Sequence, residues 1–384
     1  AGNFGGATAW TFSSLTFGDG SGTTTSTSTG AGAITTTSVL TIAANQTLDA
    51  GSKTFTLSGS GTPFVRTGTF TANTSTFQYT STTATNVTAT TYNILSLIPA
   101  GTVTYTLGTA GSQTLQTNGT YTIGNGSNTL TVAAGTWNPT INILGDLTLN
   151  NNVVYNHGAG INTFKKGGTQ TFTDNNTTKR SVGVCQISVN GSNTTLNLAS
   201  SVVVNSLTID SNQVFSNNGS NTLNLAGTGT PFVINGTFTP STGSIDYTGA
   251  GSTNITATTY YNLGVKPNSG GNTHTANSGT ITVNGNLTVG NGSNTGTFNV
   301  NTNDPTLDVN GNVTIATSGT FVASNSGTFT VAGDWTNSGT FTHSSGTVTF
   351  DAGSTGKILS GTLNSSSGFY NLTFNNASGG WSNS

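Results

Sequence analysis

Charge is what this sequence has least of. Asp, Glu, Lys and Arg make up 5% of the 384 residues and leave a net charge of -2, where soluble domains commonly carry about a quarter. A nucleic-acid binder is excluded by this balance, because a phosphate-binding face needs clustered basic residues. Glu is absent, so all ten acids are Asp, and helix formers of the Glu, Met and Lys type are too scarce to write an amphipathic helix. Cys185 is the single cysteine, which removes any intrachain disulfide or Cys-based metal site. Methionine is also missing. The small-residue start "AGNFGG" suits the mature side of a signal-peptidase cut, so export to an extracellular or cell-surface location is expected. No run of about eighteen apolar residues occurs, and no membrane span is expected.

What remains is Gly, Thr, Ser and Asn, interleaved with apolar residues that make up 32% of the chain. Disordered chains are poor in such residues and rich in net charge, so an ordered chain with a sizeable core is expected. Long blocks repeat. Residues 61–97 align without a gap with 229–265, sharing "GTPFV", "GTFT" and "TATTY", and a diverged copy spans 338–374. Within the blocks, "SGTF" begins at Ser318, Ser326 and Ser338, and "NGNLTV" (284–289) is echoed by "NGNVTI" (310–315).

In each phrase apolar residues alternate with Thr, and Asn-Gly, Ser-Gly or Gly-Asn closes the run. Period-two alternation puts Phe329 and Val331 on one face and Thr328 and Thr330 on the other, the pattern of a half-buried strand. Gly and Asn supply tight corners, cutting the chain into strands of roughly four to six residues. The fold class is all-β. Tandem antiparallel β-sandwiches and a parallel β-helix, or β-solenoid, both satisfy short strands. The return of like phrases after roughly 20 to 26 residues favours the solenoid, one coil per return. One continuous solenoid over residues 1–384 is expected, with a loop or hairpin insertion at 164–181. Corner Asn residues in "NGSN" (Asn190, Asn218) and "GNGSN" (Gly124, Gly290) are expected to stack as amide ladders. Scarce charge follows from the same stacking, since a column of like charges would repel itself at every coil.

The repeats "NGNLTV", "AGDWTNSGTFTHSSGTVTF" and "FYNLTF" resemble those of secreted or cell-surface Gly/Thr/Ser/Asn-rich repeat proteins of bacteria, the adhesin-like proteins with right-handed parallel β-helices. The resemblance implies a surface or extracellular repeat protein and carries no signature of catalysis. Membrane-anchoring barrels, sorting signals and secretion domains of that group are not recognisable in this sequence.

A stack of parallel coils leaves an unpaired strand edge at each end, which solenoids normally hide with a cap. The first phrases here resemble the last instead. Trp10, Phe12, Leu15 and Phe17, with Phe369, Tyr370, Leu372, Phe374 and Trp381, are therefore the candidate self-assembly residues. The expected partner is a second copy of the chain, joined head to tail into an extracellular structural filament. Alternatives are a glycan-binding adhesin, for which Tyr92, Tyr260 and Tyr261 are either exposed aromatics or residues packed at repeat corners, and an ice-binding solenoid with outward Thr arrays.

No constellation of catalytic groups is present, so the chain is read as not an enzyme, and no motif asks for a cofactor. Asp304 and Asp308 in "NDPTLD" are the only closely spaced acids; they read as a Pro-turn residue and a solvent-facing strand residue in preference to a carboxylate pair or Ca²⁺ ligands. His157, His274 and His343 are far apart and read as surface or turn residues. Lys165, Lys166, Lys179 and Arg180 form the one basic cluster, a solvated loop or a contact for an anionic glycan. Cys185, in "VGVCQISV", reads as a buried structural thiol.

Overall fold

Alternation in the sequence becomes inward and outward columns in space. The computed structural model describes residues 2–111, 113–156 and 158–383; His157 lies outside them. The fold is a parallel β-solenoid of about 16 turns. The pairings described between its strands are parallel, as in Phe55↔Phe77 and Leu307↔Phe329. Separate antiparallel sandwiches are thereby ruled out. The chain forms two units, Ala1–Ser200 with Asp210–Val214, and Ser201–Ile209 with Phe215–Ser384.

In the first unit one inward column runs Ile34, Phe55, Phe77, Leu95, Tyr121, Leu147, Phe172, Leu198, each paired in register with the next and each buried. Burying a side chain of this size stabilises by about 1.5–3 kcal/mol, so the column itself is a large share of what holds the coils together. Stacked rings add to it: Phe55 and Phe77 lie 4.8 Å apart, within the range of favourable aromatic pairs. The outward column one residue along reads Thr11, Thr35, Thr56, Gln78, Ser96, Thr122, Thr148. Residues 164–181 contain the strand Gly168–Asp174, which pairs with Thr194–Leu198.

In the second unit the same logic gives Leu223, Ile245, Leu263, Leu287, Val313, Trp335, Leu359 on one face and Val283, Val309, Val331, Phe350 on another. Phe329 and Val331 both point inward.

The repeated "NGN" phrases sit at corners where backbones nearly touch. A Cβ on Gly311 would overlap the Gly285 carbonyl, and one on Gly333 the Gly311 carbonyl, so only glycine permits this approach. The neighbouring polar residues form a ladder. Asn286 donates its N–H to Asn262 Oδ1 at 2.9 Å, Asn312 to Asn286 Oδ1 at 3.0 Å, Asp334 to Asn312 Oδ1 at 2.8 Å, and Ile358 to Asp334 Oδ1 at 2.9 Å. Each rung joins one coil's side chain to the next coil's backbone.

The "GNGSN" corners differ from the expected amide stacks. Asn125 donates to the Pro99 carbonyl at 2.5 Å while its Oδ1 accepts from Ser127 and Asn128 N–H. Asn291 does the same with the Pro267 carbonyl at 2.7 Å, Ser293 and Asn294. Gly124 and Gly290 precede them at φ 87° and 90°. Proline offers a carbonyl but no N–H, so a side-chain donor on the following coil is the partner that it can take.

The matching blocks 61–97 and 229–265 share one buried device. Tyr79 and Tyr92 hydroxyls meet at 2.9 Å, Tyr92 donates to the Thr88 carbonyl at 2.8 Å, and Thr88 N–H donates to Tyr79 at 3.3 Å. Tyr247, Tyr260 and Thr256 repeat this at 2.9, 2.6 and 3.2 Å. Since Tyr92 spends its one proton on Thr88, Tyr79 must donate the shared bond. Both tyrosine pairs are fully buried, and burial pushes the Tyr79 hydroxyl up to about 12.

Candidate functional site

The first coil is held from one side only. Gly2–Gly5 pairs with Thr24–Thr29, and Trp10–Phe17 with Ile34–Ile42, and each is the outermost strand of its sheet. All four apolar residues expected here head inward columns: Trp10 stands on Ile34, Phe12 on Thr36, Leu15 on Leu40 and Phe17 on Ile42, with those supporting residues buried. A register shift between Phe12 and Ser14 restores the inward direction for the second pair. Phe17 is buried against Phe4, rings 4.7 Å apart. Phe12 and Leu15 are half-buried, and Trp10 is 38% exposed.

This coil is braced by a residue not singled out in the sequence. Lys53 is buried, and its Nζ donates to the carbonyls of Gly30 at 2.9 Å, Gly32 at 2.8 Å and Gly6 at 3.4 Å. Three donors meeting three carbonyls satisfy the ammonium group, while desolvation holds its pKa below the ordinary lysine value. A lone Lys opening "KTFTL" beside glycine-rich corners was the available signal.

The last coil has the same one-sided support. Asn371–Phe374 pairs only with Thr347–Phe350, and Trp381–Asn383 only with Lys357–Gly361. Leu372 stands on Val348 and Phe374 on Phe350, both buried, yet Leu372 is 40% and Phe374 53% exposed. Tyr370 is exposed against His343, ring centroids 5.2 Å apart. Trp381 is half-buried, its indole N–H directed at the Gly333 carbonyl at 3.3 Å, with rings of Phe374 and Phe350 at 5.2 and 5.5 Å. The third face is closed: the 3-10 turn Ser365–Ser367 covers Thr340–Thr342, with Phe341 N–H donating to Ser367 Oγ at 3.3 Å. Phe369 packs beneath it on Trp335 and Phe341 at 5.1 and 5.6 Å.

Elsewhere the structure corrects several expectations. Tyr92 and Tyr260 are buried and cannot be the exposed aromatics of a glycan surface; their hydroxyls are satisfied inside, which makes burial tolerable. His274 is neither a surface nor a turn residue: it lies inward between Thr253 and Phe298, fully buried, with neither ring nitrogen hydrogen-bonded. Burial holds its pKa down at about 4. His343 does sit in a turn, accepting the Ser345 N–H at 3.0 Å.

Asp304 has φ 44° and accepts from Ser324 Oγ at 2.6 Å; Asp308 accepts from Thr330 Oγ1 at 2.6 Å on an outward strand position. No group of three or more His, Cys or Asp side chains among the described residues is placed to hold a metal. Cys185 is buried, and burial pushes its thiol up to about 12. Lys166 pairs with Asp146 at 3.2 Å and Lys179 faces Asp174 at 3.8 Å. Among the described residues no helix is long and apolar enough to cross a membrane. No protein-family model, curated protein or solved structure matches the chain.

Proposed function

We propose that this chain is a non-enzymatic structural subunit of an extracellular or cell-surface filament, joined head to tail to copies of itself. The observation that carries the reading is the inward column Val283, Val309, Val331, Phe350, which continues in register to an exposed Phe374. A next coil placed on Asn371–Phe374 would bury Leu372 and Phe374 as the preceding coils bury Val348 and Phe350. The first coil offers such a surface, headed by Trp10, Phe12 and Leu15. Each edge of a parallel sheet presents a row of unpaired N–H and C=O groups, and a strand laid on it in parallel register pairs with them. Edge-to-edge addition between opposite ends therefore extends the ladder, and such a contact does not close on itself. Surface location draws on the likeness to bacterial adhesin-like repeats.

Electron microscopy and sedimentation of the purified chain over a concentration series test the reading. Filaments that lengthen with concentration, and that are lost with Phe374→Asp or Trp10→Asp, are expected. Discrete single particles at every concentration would overturn it.

A second reading has one observation behind it. The outward column from Thr11 to Thr148 stacks hydroxyls coil on coil, as an ice-binding face would, although Gln78 and Ser96 interrupt its threonines. Inhibition of ice recrystallisation by the unassembled chain would favour it.

A further inference from the structure

Where one sheet of the first unit stops, its outer surface is hollowed. The strand Val153–Asn156 pairs with Leu130–Ala133 and is the last of its sheet. Residues 175–180 then pass over it as an irregular loop. Asn176 substitutes for part of the missing ladder by accepting the Val153 N–H on its Oδ1 at 2.8 Å. Thr177 is tied down likewise, its N–H donating to Asn151 Oδ1 at 3.1 Å. Beside these bonds lies a cavity of about 230 Å³ whose lining includes Asn151, Asn152, Thr177, Thr178 and Arg180.

Arg180 sets this cavity apart. Two other members of the basic cluster are engaged: Lys179 donates to the Asp174 carbonyl and faces its carboxylate at 3.8 Å, and Lys166 pairs with Asp146. Arg180 makes no hydrogen bond or ion pair among the described residues, and no acid lines the cavity. Its planar guanidinium fits a carboxylate with two parallel N–H bonds. The rim adds complementary polar groups. Asn151 uses its amide oxygen on Thr177, and Asn152 uses its amide nitrogen on the Gly126 and Ser127 carbonyls at 3.3 Å each. An amide donor of Asn151 and an amide acceptor of Asn152 are thus left for hydroxyl groups. The volume is below the roughly 300–1,000 Å³ of sites that enclose whole drug-sized ligands, which suits one residue of a longer chain lying across the surface.

We propose that the Arg180 cavity is a binding subsite for an acidic sugar, with Arg180 on the carboxylate and Asn151, Asn152, Thr177 and Thr178 on the ring hydroxyls. The site is lateral and does not depend on end-to-end assembly. The chain's other arginine supplies the control. Arg66 lines a separate cavity of about 330 Å³ with Phe64, Val65 and Ala89, and its guanidinium donates to the Gly68 carbonyl at 3.3 Å.

The test is calorimetric titration of the full chain, wild type and the Arg180→Gln and Arg66→Gln variants, with a short oligogalacturonate and with a neutral galactose oligomer of equal length. Saturable binding of the oligogalacturonate alone is expected. Arg180→Gln should weaken it by about tenfold or more, the loss of a charge-assisted pair, whereas Arg66→Gln should change it by less than about twofold. Thermal melts of both variants should match wild type, since Arg180 and Arg66 are exposed. Absence of saturable binding, or equal weakening by the two substitutions, would overturn the proposal; the second result is what diffuse charge attraction produces.

Discussion

Phe374 lies in parallel register on Phe350 with ring centroids 5.8 Å apart, yet Phe350 is fully buried and Phe374 is half exposed. Phe374 lacks the covering coil that Phe350 has. Substitution should separate two properties that coincide in the interior of the solenoid. Phe350→Ala leaves a cavity among Trp335, Phe369 and Trp381 and should cost about 3–5 kcal/mol. Phe374→Ser removes a side chain with one covered face, and should lower the melting temperature little while shortening or abolishing filaments. Circular dichroism melts and sedimentation velocity on the same samples read the two effects.

The paired tyrosines give a second prediction. Tyr92→Phe removes the hydroxyl that accepts from Tyr79 and donates to the Thr88 carbonyl, stranding a buried donor and a buried acceptor. Each stranded group costs about 1–3 kcal/mol. Tyr260→Phe breaks the equivalent bonds to Tyr247 and Thr256, and the two variants should lose stability by similar amounts. Chemical denaturation of both proteins measures this; a loss in one alone would show that the repeated geometry does not carry repeated energetics.

Corner geometry gives a third. Gly311→Ala forces a methyl group into the Gly285 carbonyl, and because the obstacle is backbone the coils must move apart. Asn312→Ala removes a side-chain acceptor from the Asp334 N–H, worth about 1 kcal/mol as for other single hydrogen bonds. Gly311→Ala is expected to be the more damaging of the two in thermal melts, although it adds one carbon atom where the other substitution deletes a polar group.

Cys185 gives a fourth. Buried in the strand Val184–Ile187, with its thiol held up at about 12, it has almost no thiolate at neutral pH and no route to reagent. Ellman's reagent should leave it unmodified in the native chain and titrate one thiol after denaturation. Rapid labelling of the folded protein would contradict the burial.

Much of this architecture was legible because a strand's facing depends only on parity. Phe329, Val331 and Thr330 fall where alternation puts them. Coil length was less legible: residues paired in register on successive coils range from Thr76 with Ile94 to Val103 with Leu130, so which phrase lies over which depends on corner lengths that no local pattern states. Parity also fails at irregularities. Trp10 and Phe12 differ in parity from Leu15 and Phe17, and all four face inward because the register shifts between Phe12 and Ser14. Sequence left Tyr92 and Tyr260 open between exposure and corner packing because the partner of each hydroxyl, another tyrosine thirteen residues away, is not visible as such. The Arg180 cavity depends on a strand that is missing from one face, and an absence of that kind leaves no motif.

His274 was misread through residue type, although its parity with buried Ala276 pointed inward. Its position makes a pH prediction with a definite sign. The imidazole is fully buried, both nitrogens are unpartnered, and its pKa falls to about 4 from 6.5. Above pH 6.5 the ring is neutral in folded and unfolded chains alike, so titration contributes nothing. As pH drops below 6.5 the unfolded chain takes the proton first, and stability declines until pH reaches about 4. The total loss is roughly 3 kcal/mol. Replacement by Leu removes both this loss and the cost of two unsatisfied nitrogens beneath Phe298. His274→Leu should therefore melt higher than wild type at pH 7.5, by an amount that grows as the pH is lowered to 5. Melts across that range decide it: a constant difference would mean that His274 titrates alike in the folded and unfolded chains, and a wild type more stable than the variant would mean that the ring has partners inside the coil.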